Sequence, residues 1–121
     1  MLVAVDLRLN LSTKQKGQVA ELKACEYLKS HGFEIIEQNY YAKKLGEIDI
    51  ISKKNDIYHF IEVKSSLDYE TAVNNITTSK ISKLKRSIDY YIQIKKLDIT
   101  YCLDVIIIVN DDIDLISNIT I

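Results

Sequence analysis

The stretch from Ile99 to Val109 constrains the fold more than any other part of the chain. Its core, Val105-Ile106-Ile107-Ile108-Val109, is apolar at every position, so both faces of a strand built from it must be hidden from water. Such a strand sits centrally in a sheet, and helices have to cover it on both sides. Two segments have the helical period to do this. Between about Lys16 and His31, Tyr27, Ala20, Ala24, Leu28 and Cys25 form one apolar arc, with Lys23, Glu26 and Lys29 opposite. Further on, Ile81, Leu84, Ile88 and Tyr91 recur at i, i+3, i+7 and i+10, defining a helix that runs to about Lys95 and that Thr77, Thr78 or Ser79 can cap.

The rest of the chain supplies the other strands. Phe33 to Gln38 reads as a short strand. Glu47 to Ser52 and Ile57 to Ser65 read as two more, joined by the polar turn Lys53-Lys54-Asn55-Asp56. Ser65 to Ser79 lacks a clean period and reads as a loop with at most one helical turn. Asn110-Asp111-Asp112 turns into a last strand near Leu115 to Ile121. Gly32 stands where the left-handed residue closing the first helix belongs, and Gly46 breaks the chain just before Glu47. The expected fold is α/β, a mixed sheet flanked by helices in the order α-β-β-β-α-β-β. At 121 residues the chain suffices for one domain, 1–121, with residues 1–15 as an N-terminal extension.

Several function classes drop out early. No apolar run approaches the ~20 residues of a membrane helix, so no membrane partner is expected. Met1 to Asn10 lacks a basic leader and Asp6 interrupts its apolar stretch, which points to the cytoplasm. Cys25 and Cys102 are isolated, without CxxC spacing, and read as small buried thiols. His31 and His59 read as surface or packed residues. A net charge of −1 and a pI near 6.1 speak against non-specific coating of nucleic acid, while leaving room for a local basic face.

Chemistry concentrates in the second and third strands. With period two, Tyr58, Phe60, Glu62 and Lys64 share one face, and Ile57, Ile61 and Val63 the other. Asp49 faces away from Ile48 and Ile50. A regular hairpin with a four-residue turn pairs Ser52 with Ile57 and sets Asp49 opposite Phe60, making Glu62 its diagonal neighbour on the same face. Two carboxylates so close repel unless a cation lies between them, and a hard ion such as Mg²⁺ suits the gap. Lys64 would lie beside the ion's water. A Glu-x-Lys pair on a strand is ordinarily a solvated salt bridge. Here, however, Phe60, Ile61 and Val63 flank the pair, Asp49 lies among isoleucines, and Glu21 falls inside the apolar arc of the first helix. Charged residues from three elements in apolar settings look like a site.

Gly46-Glu47-Ile48-Asp49-Ile50-Ile51 followed by Phe60-Ile61-Glu62-Val63-Lys64-Ser65 resembles the signature of the bacterial YraN-like family. Lys16-Gly17, Ala20-Glu21, Tyr27-Leu28 and Gly32 resemble its N-terminal helix, and Leu103-Asp104-Val105 its late strand, so the likeness runs from about Lys16 to Val109. Tyr41, Ser66 and Cys102 depart from the pattern, standing where that family commonly has arginine. The resemblance implies a restriction-endonuclease-like (PD-(D/E)xK) fold akin to archaeal Holliday-junction resolvases. It implies a metal-dependent endonuclease hydrolysing DNA phosphodiester bonds, on branched or single-strand-containing DNA by analogy with the resolvases. Asp49 and Glu62 would bind Mg²⁺ or Mn²⁺ together with the backbone carbonyl of Val63. Lys64 would orient or activate the attacking water, and Glu21 would supply an outer-shell or second-metal carboxylate. Lys80 and Lys83 on the second helix, with Lys43 and Lys44 in a turn, are candidate phosphate contacts, and a homodimer is compatible with this reading. The alternative is a catalytically inactive module that keeps the fold and binds nucleic acid or protein.

Overall fold

Helix α1 starts where Ser12 can cap it. The Ser12 hydroxyl accepts from the Gln15 N–H at 3.1 Å, and the Gln15 side chain accepts from the Ser12 N–H at 2.9 Å, a reciprocal capping box. The helix therefore begins at Thr13, inside the segment expected as an extension, and runs to Ser30. It ends on Gly32 at φ +86°, with Gly32 N–H bonded to Lys29 O and Phe33 N–H to Leu28 O. That is a Schellman stop, and the accompanying contact puts Phe33 and Leu28 in one core cluster. The computed structural model describes residues 12–119. The reading of Met1 to Asn10 and the last two residues of the expected final strand lie outside them.

After α1 come β1 (Glu34–Tyr41), β2 (Glu47–Lys54), β3 (Ile57–Ser66), the short helix α2 (Tyr69–Asn74), α3 (Thr78–Ile94), β4 (Tyr101–Val109) and β5 (Asp112–Ile116). The five strands form one sheet in the order β1-β2-β3-β4-β5, antiparallel except for the parallel β3–β4 pair. The architecture is α/β with a mixed sheet between helices, consistent with a restriction-endonuclease-like fold. Within the loop expected between Ser65 and Ser79, Asp68 caps α2 by accepting from the Thr71 N–H at 2.8 Å.

Strand β4 is covered on both faces, as its apolar run requires, and every residue from Leu103 to Ile108 is buried. It lies one strand in from the edge, because β5 adds only on its outer side; β3 is the central strand. Ile106 and Ile108 pack with Ile50 and Ile61 under Ala20, Ala24 and Leu28 of α1. On the other face Leu103 packs with Phe60, Ile48 and Ile51 under Ile81, Leu84, Ile88 and Tyr91 of α3, while Val105 and Ile107 lie against Ala72 of α2. Each large aliphatic side chain so buried contributes roughly 1.5–3 kcal/mol.

The β2–β3 hairpin differs from the expected one. Lys54 pairs with Ile57, so the turn is the dipeptide Asn55-Asp56, with φ of 51° and 63°. Positive φ at both central positions defines the tight turn whose twist matches the strands, and Asn and Asp are the non-glycine residues that best tolerate it. Ser52 therefore pairs with His59 rather than Ile57. The register moves by two residues, which preserves every side chain's face.

Candidate active site

The ladder between β2 and β3 runs from Lys54↔Ile57 to Ile50↔Ile61 and ends there. Strict alternation fails at the same place. Ile48 and Ile51, three residues apart, both pack toward α3, whereas Ile50 packs toward α1, so Ile48 does not share a face with Ile50 as expected. Asp49 occupies this irregularity. Its Oδ2 accepts from the Val63 N–H at 2.8 Å, a donor the ladder would otherwise take. The observed register also brings Asp49 closer to Glu62 than the expected diagonal: the two carboxyl groups are within hydrogen-bonding reach.

Two carboxyls in that position cannot both ionise at low cost. Burial pushes the Asp49 pKa up to about 8, helped by the hydrogen bond to Glu62 and by its charge, while the Val63 N–H and the Lys64 ammonium pull the other way. At neutral pH Asp49 therefore keeps its proton. Glu21 from α1 and Glu47 from β2 complete the acidic group, and one oxygen each from Glu21, Glu47 and Asp49 lie within 4.8 Å of one another. Burial first, then the charge of Asp49, raises the Glu21 pKa; a hydrogen bond from the Asn39 side chain opposes the rise. Glu47 is raised by burial and then by Asp49 and Glu21, against a hydrogen bond from Tyr41. Tyr41 thus holds Glu47 without adding charge.

A cleft of about 260 Å³ is lined by Gly46, Glu47, Asp49 and Glu62 on the sheet side and by Lys80 and Lys83 from α3. Gly46 lets the helix come this close: it adopts φ +144°, and a Cβ there would meet Lys83 Cε at 3.1 Å and Ser87 Oγ at 3.2 Å. On the α1 side a larger cavity of about 560 Å³ is lined by Lys16, Gly17, Val19, Glu21, Val63 and Leu67, among others. Lys43 and Lys44 stand exposed in the loop leading to Gly46, outside the cleft lining. The Val63 side chain packs into the α1 core, which leaves its neighbours Glu62 and Lys64 to the other face. Tyr40 and Tyr91 contact each other edge to face within the α3 core.

The structure brings together Glu21, Asp49, Glu62 and Lys64, adds Lys80 and Lys83 across the cleft, and leaves Lys43 and Lys44 apart. Sequence reasoning missed Glu47, although its position two residues before Asp49 on a strand was a usable signal. Asn39 and Tyr41 carried none, because β1 pairs with β2 only in three dimensions. The donor set is all oxygen and crowded with like charge. Such a set could hold a hard divalent cation such as Mg²⁺ or Mn²⁺, with Glu21, Glu47 and Asp49 each able to offer an oxygen and Glu62 beside Asp49. No helix among the described residues is long and apolar enough to cross a membrane.

Residues 20–108 match the model of the uncharacterised protein family UPF0102, the YraN-like family. A UPF0102 protein of Aliarcobacter butzleri is 62% identical over 108 residues, covering 89% of this chain and 98% of the relative. One from Helicobacter hepaticus is 47% identical over 91% of this chain and 98% of its own length, and one from Sulfurimonas denitrificans 45% over 89% and 98%.

Proposed function

The chain belongs to the uncharacterised protein family UPF0102, and from that membership together with its own acidic cleft we propose that it is a metal-dependent endonuclease hydrolysing DNA phosphodiester bonds in the cytoplasm. One observation carries the reading: Asp49 and Glu62 are held against each other, and Lys64 is close enough to act on the Asp49 charge. Structural carboxylates avoid such a pairing, whereas metal-binding ones need it. When bound, Mg²⁺ or Mn²⁺ supplies neutralisation of the phosphate charge and a more acidic water. The protein's own groups do the rest. The Val63 N–H fixes the Asp49 carboxyl, Glu62 completes the anionic pair, and the Lys64 ammonium stabilises charge developing on the attacking water or the phosphate. Lys80 and Lys83, facing the carboxyls across the cleft, are placed to hold phosphate oxygens.

The deciding experiment is a gel assay on linear, nicked, flapped and four-way DNA, with Mg²⁺, with Mn²⁺ and with chelator. Metal-dependent cutting, strongest on branched or single-strand-containing DNA, is expected. DNA held equally well in chelator, with no cutting under any condition, would overturn the nuclease reading in favour of an inactive binding module.

A further inference from the structure

Three residues before Glu62 on the same strand, and on the opposite face of the sheet, lies a second group of able side chains. His59 of β3 sits directly beside Cys102 of β4 in the parallel ladder, and Asp104 follows two residues along on the same face. One donor atom each from His59, Cys102 and Asp104 lie within 4.8 Å of one another. Asp104 is the deepest. Its side chain is 0% exposed, its Oδ1 accepts from the Asn118 N–H at 2.7 Å, and its Oδ2 lies 2.6 Å from His59 Nδ1. The Asn118 contact orients the carboxyl, so that Oδ2 is presented to the histidine. The ring of Phe33 meets the imidazole edge to face at 5.1 Å and limits its movement. All three donors stand on paired strands, which hold them more firmly than loops would.

We propose that His59, Cys102 and Asp104 form a binding site for a zinc-class divalent transition-metal ion, separate from the acidic cleft. An imidazole nitrogen, a thiolate and one carboxylate oxygen make a mixed borderline-soft set, and three protein ligands leave a fourth position for water. The ion takes the place of the direct His59 Nδ1···Asp104 Oδ2 contact, with the imidazole carrying its one ring proton on Nε2. Binding expels the Cys102 thiol proton to the buffer as the sulfur–metal bond forms. The ion then clips β3 to β4 near their first residues and stabilises the folded chain in proportion to its free concentration.

Cobalt(II) is the probe, used with the full chain and a non-thiol reductant. A thiolate-to-cobalt charge-transfer band saturating at about one ion per chain is expected, abolished by Zn²⁺ and untouched by excess Mg²⁺. Cobalt in the all-oxygen cleft gives no such band, so the readout is independent of nuclease activity. Cys102→Ser should remove the band and Cys25→Ala should keep it. His59→Gln should weaken cobalt binding by more than the ~10–100-fold typical of losing an outer-shell partner. A parent protein without the band, or a band surviving Cys102→Ser, would overturn the site and leave His59–Asp104 as a purely structural pair.

Discussion

The acidic cleft and the His59 corner each hold a carboxyl withdrawn from water, and they satisfy it in opposite ways. Asp104 is the more deeply buried, yet one of its oxygens has a backbone donor and the other an imidazole. Asp49 has a backbone donor for one oxygen and faces a second carboxyl with the rest, and its pKa rises to about 8. The identity of the nearest neighbour, more than depth, separates a carboxyl that supports the fold from one that opposes it. The donor sets diverge as well: all oxygen in the cleft, nitrogen, sulfur and oxygen at the corner, so the two places suit different ions.

Truncating each acid tests this contrast most severely, because the effects should differ in sign. Asp104→Ala strands the Asn118 N–H and leaves His59 without its partner, and denaturant titration should show a loss of about 3–5 kcal/mol. Asp49→Asn keeps an acceptor for the Val63 N–H and removes the clash with Glu62, so the metal-free protein should gain stability at pH 8, on the order of a few kcal/mol. The pH dependence follows from the raised pKa. Between about pH 4 and pH 8 the folded carboxyl keeps a proton that the unfolded chain has released. Metal-free parent protein should therefore lose stability as pH rises through that window, and the Asn variant should lose that slope. Equal destabilisation by both substitutions would erase the distinction.

Within the cleft, Glu62→Gln and Lys64→Ala should fail differently. Removing the Glu62 charge should lower Mg²⁺ affinity and cleavage together, with partial rescue at high metal. Lys64→Ala should bind Mg²⁺ at least as well, being free of a nearby cation, yet cut about 10²–10³ more slowly at saturating metal. Calorimetry and single-turnover cleavage on the same variants distinguish these outcomes. The smallest effect is expected across the cleft. Reversing Lys80 and Lys83 to Glu should weaken DNA association and flatten its logarithmic salt dependence by about 0.9 for each phosphate no longer neutralised. An unchanged slope would make that helix face merely solvated.

How much of this was legible in the sequence depended on how local the cause was. Both long helices and the buried β4 followed from periodicity, since Leu84 or Ile106 declares its burial through near neighbours. Glu21 announced itself by interrupting an apolar arc, and Asp49 by standing among isoleucines. The hairpin register was set wrongly because φ at Asn55 and Asp56 is a property of the turn, not of the polarity that Lys53 and Lys54 share with it. His59 looked inert because its partner lies 45 residues away on a strand that becomes adjacent only when β3 and β4 align in parallel. A break in alternation, such as the one at Ile48, is likewise written in packing rather than in residue type.

The tight Asn55-Asp56 turn also bears on which length changes the gene can accept. Asp49 and Glu62 lie on the two arms of the hairpin it closes, and the arms are paired outward from that turn to Ile50↔Ile61. Two residues added between Ile57 and Ile61 would return Glu62 and Lys64 to the same side of the sheet, one step further along. A single added residue would swing both through to the α1 side and bring Val63 to the cleft, unless a bulge absorbed it. Natural length variation should therefore collect in the loops beyond the hairpin, while the spacing from Asp49 to Glu62 stays fixed, since even an added pair that keeps the face would part the two carboxyls.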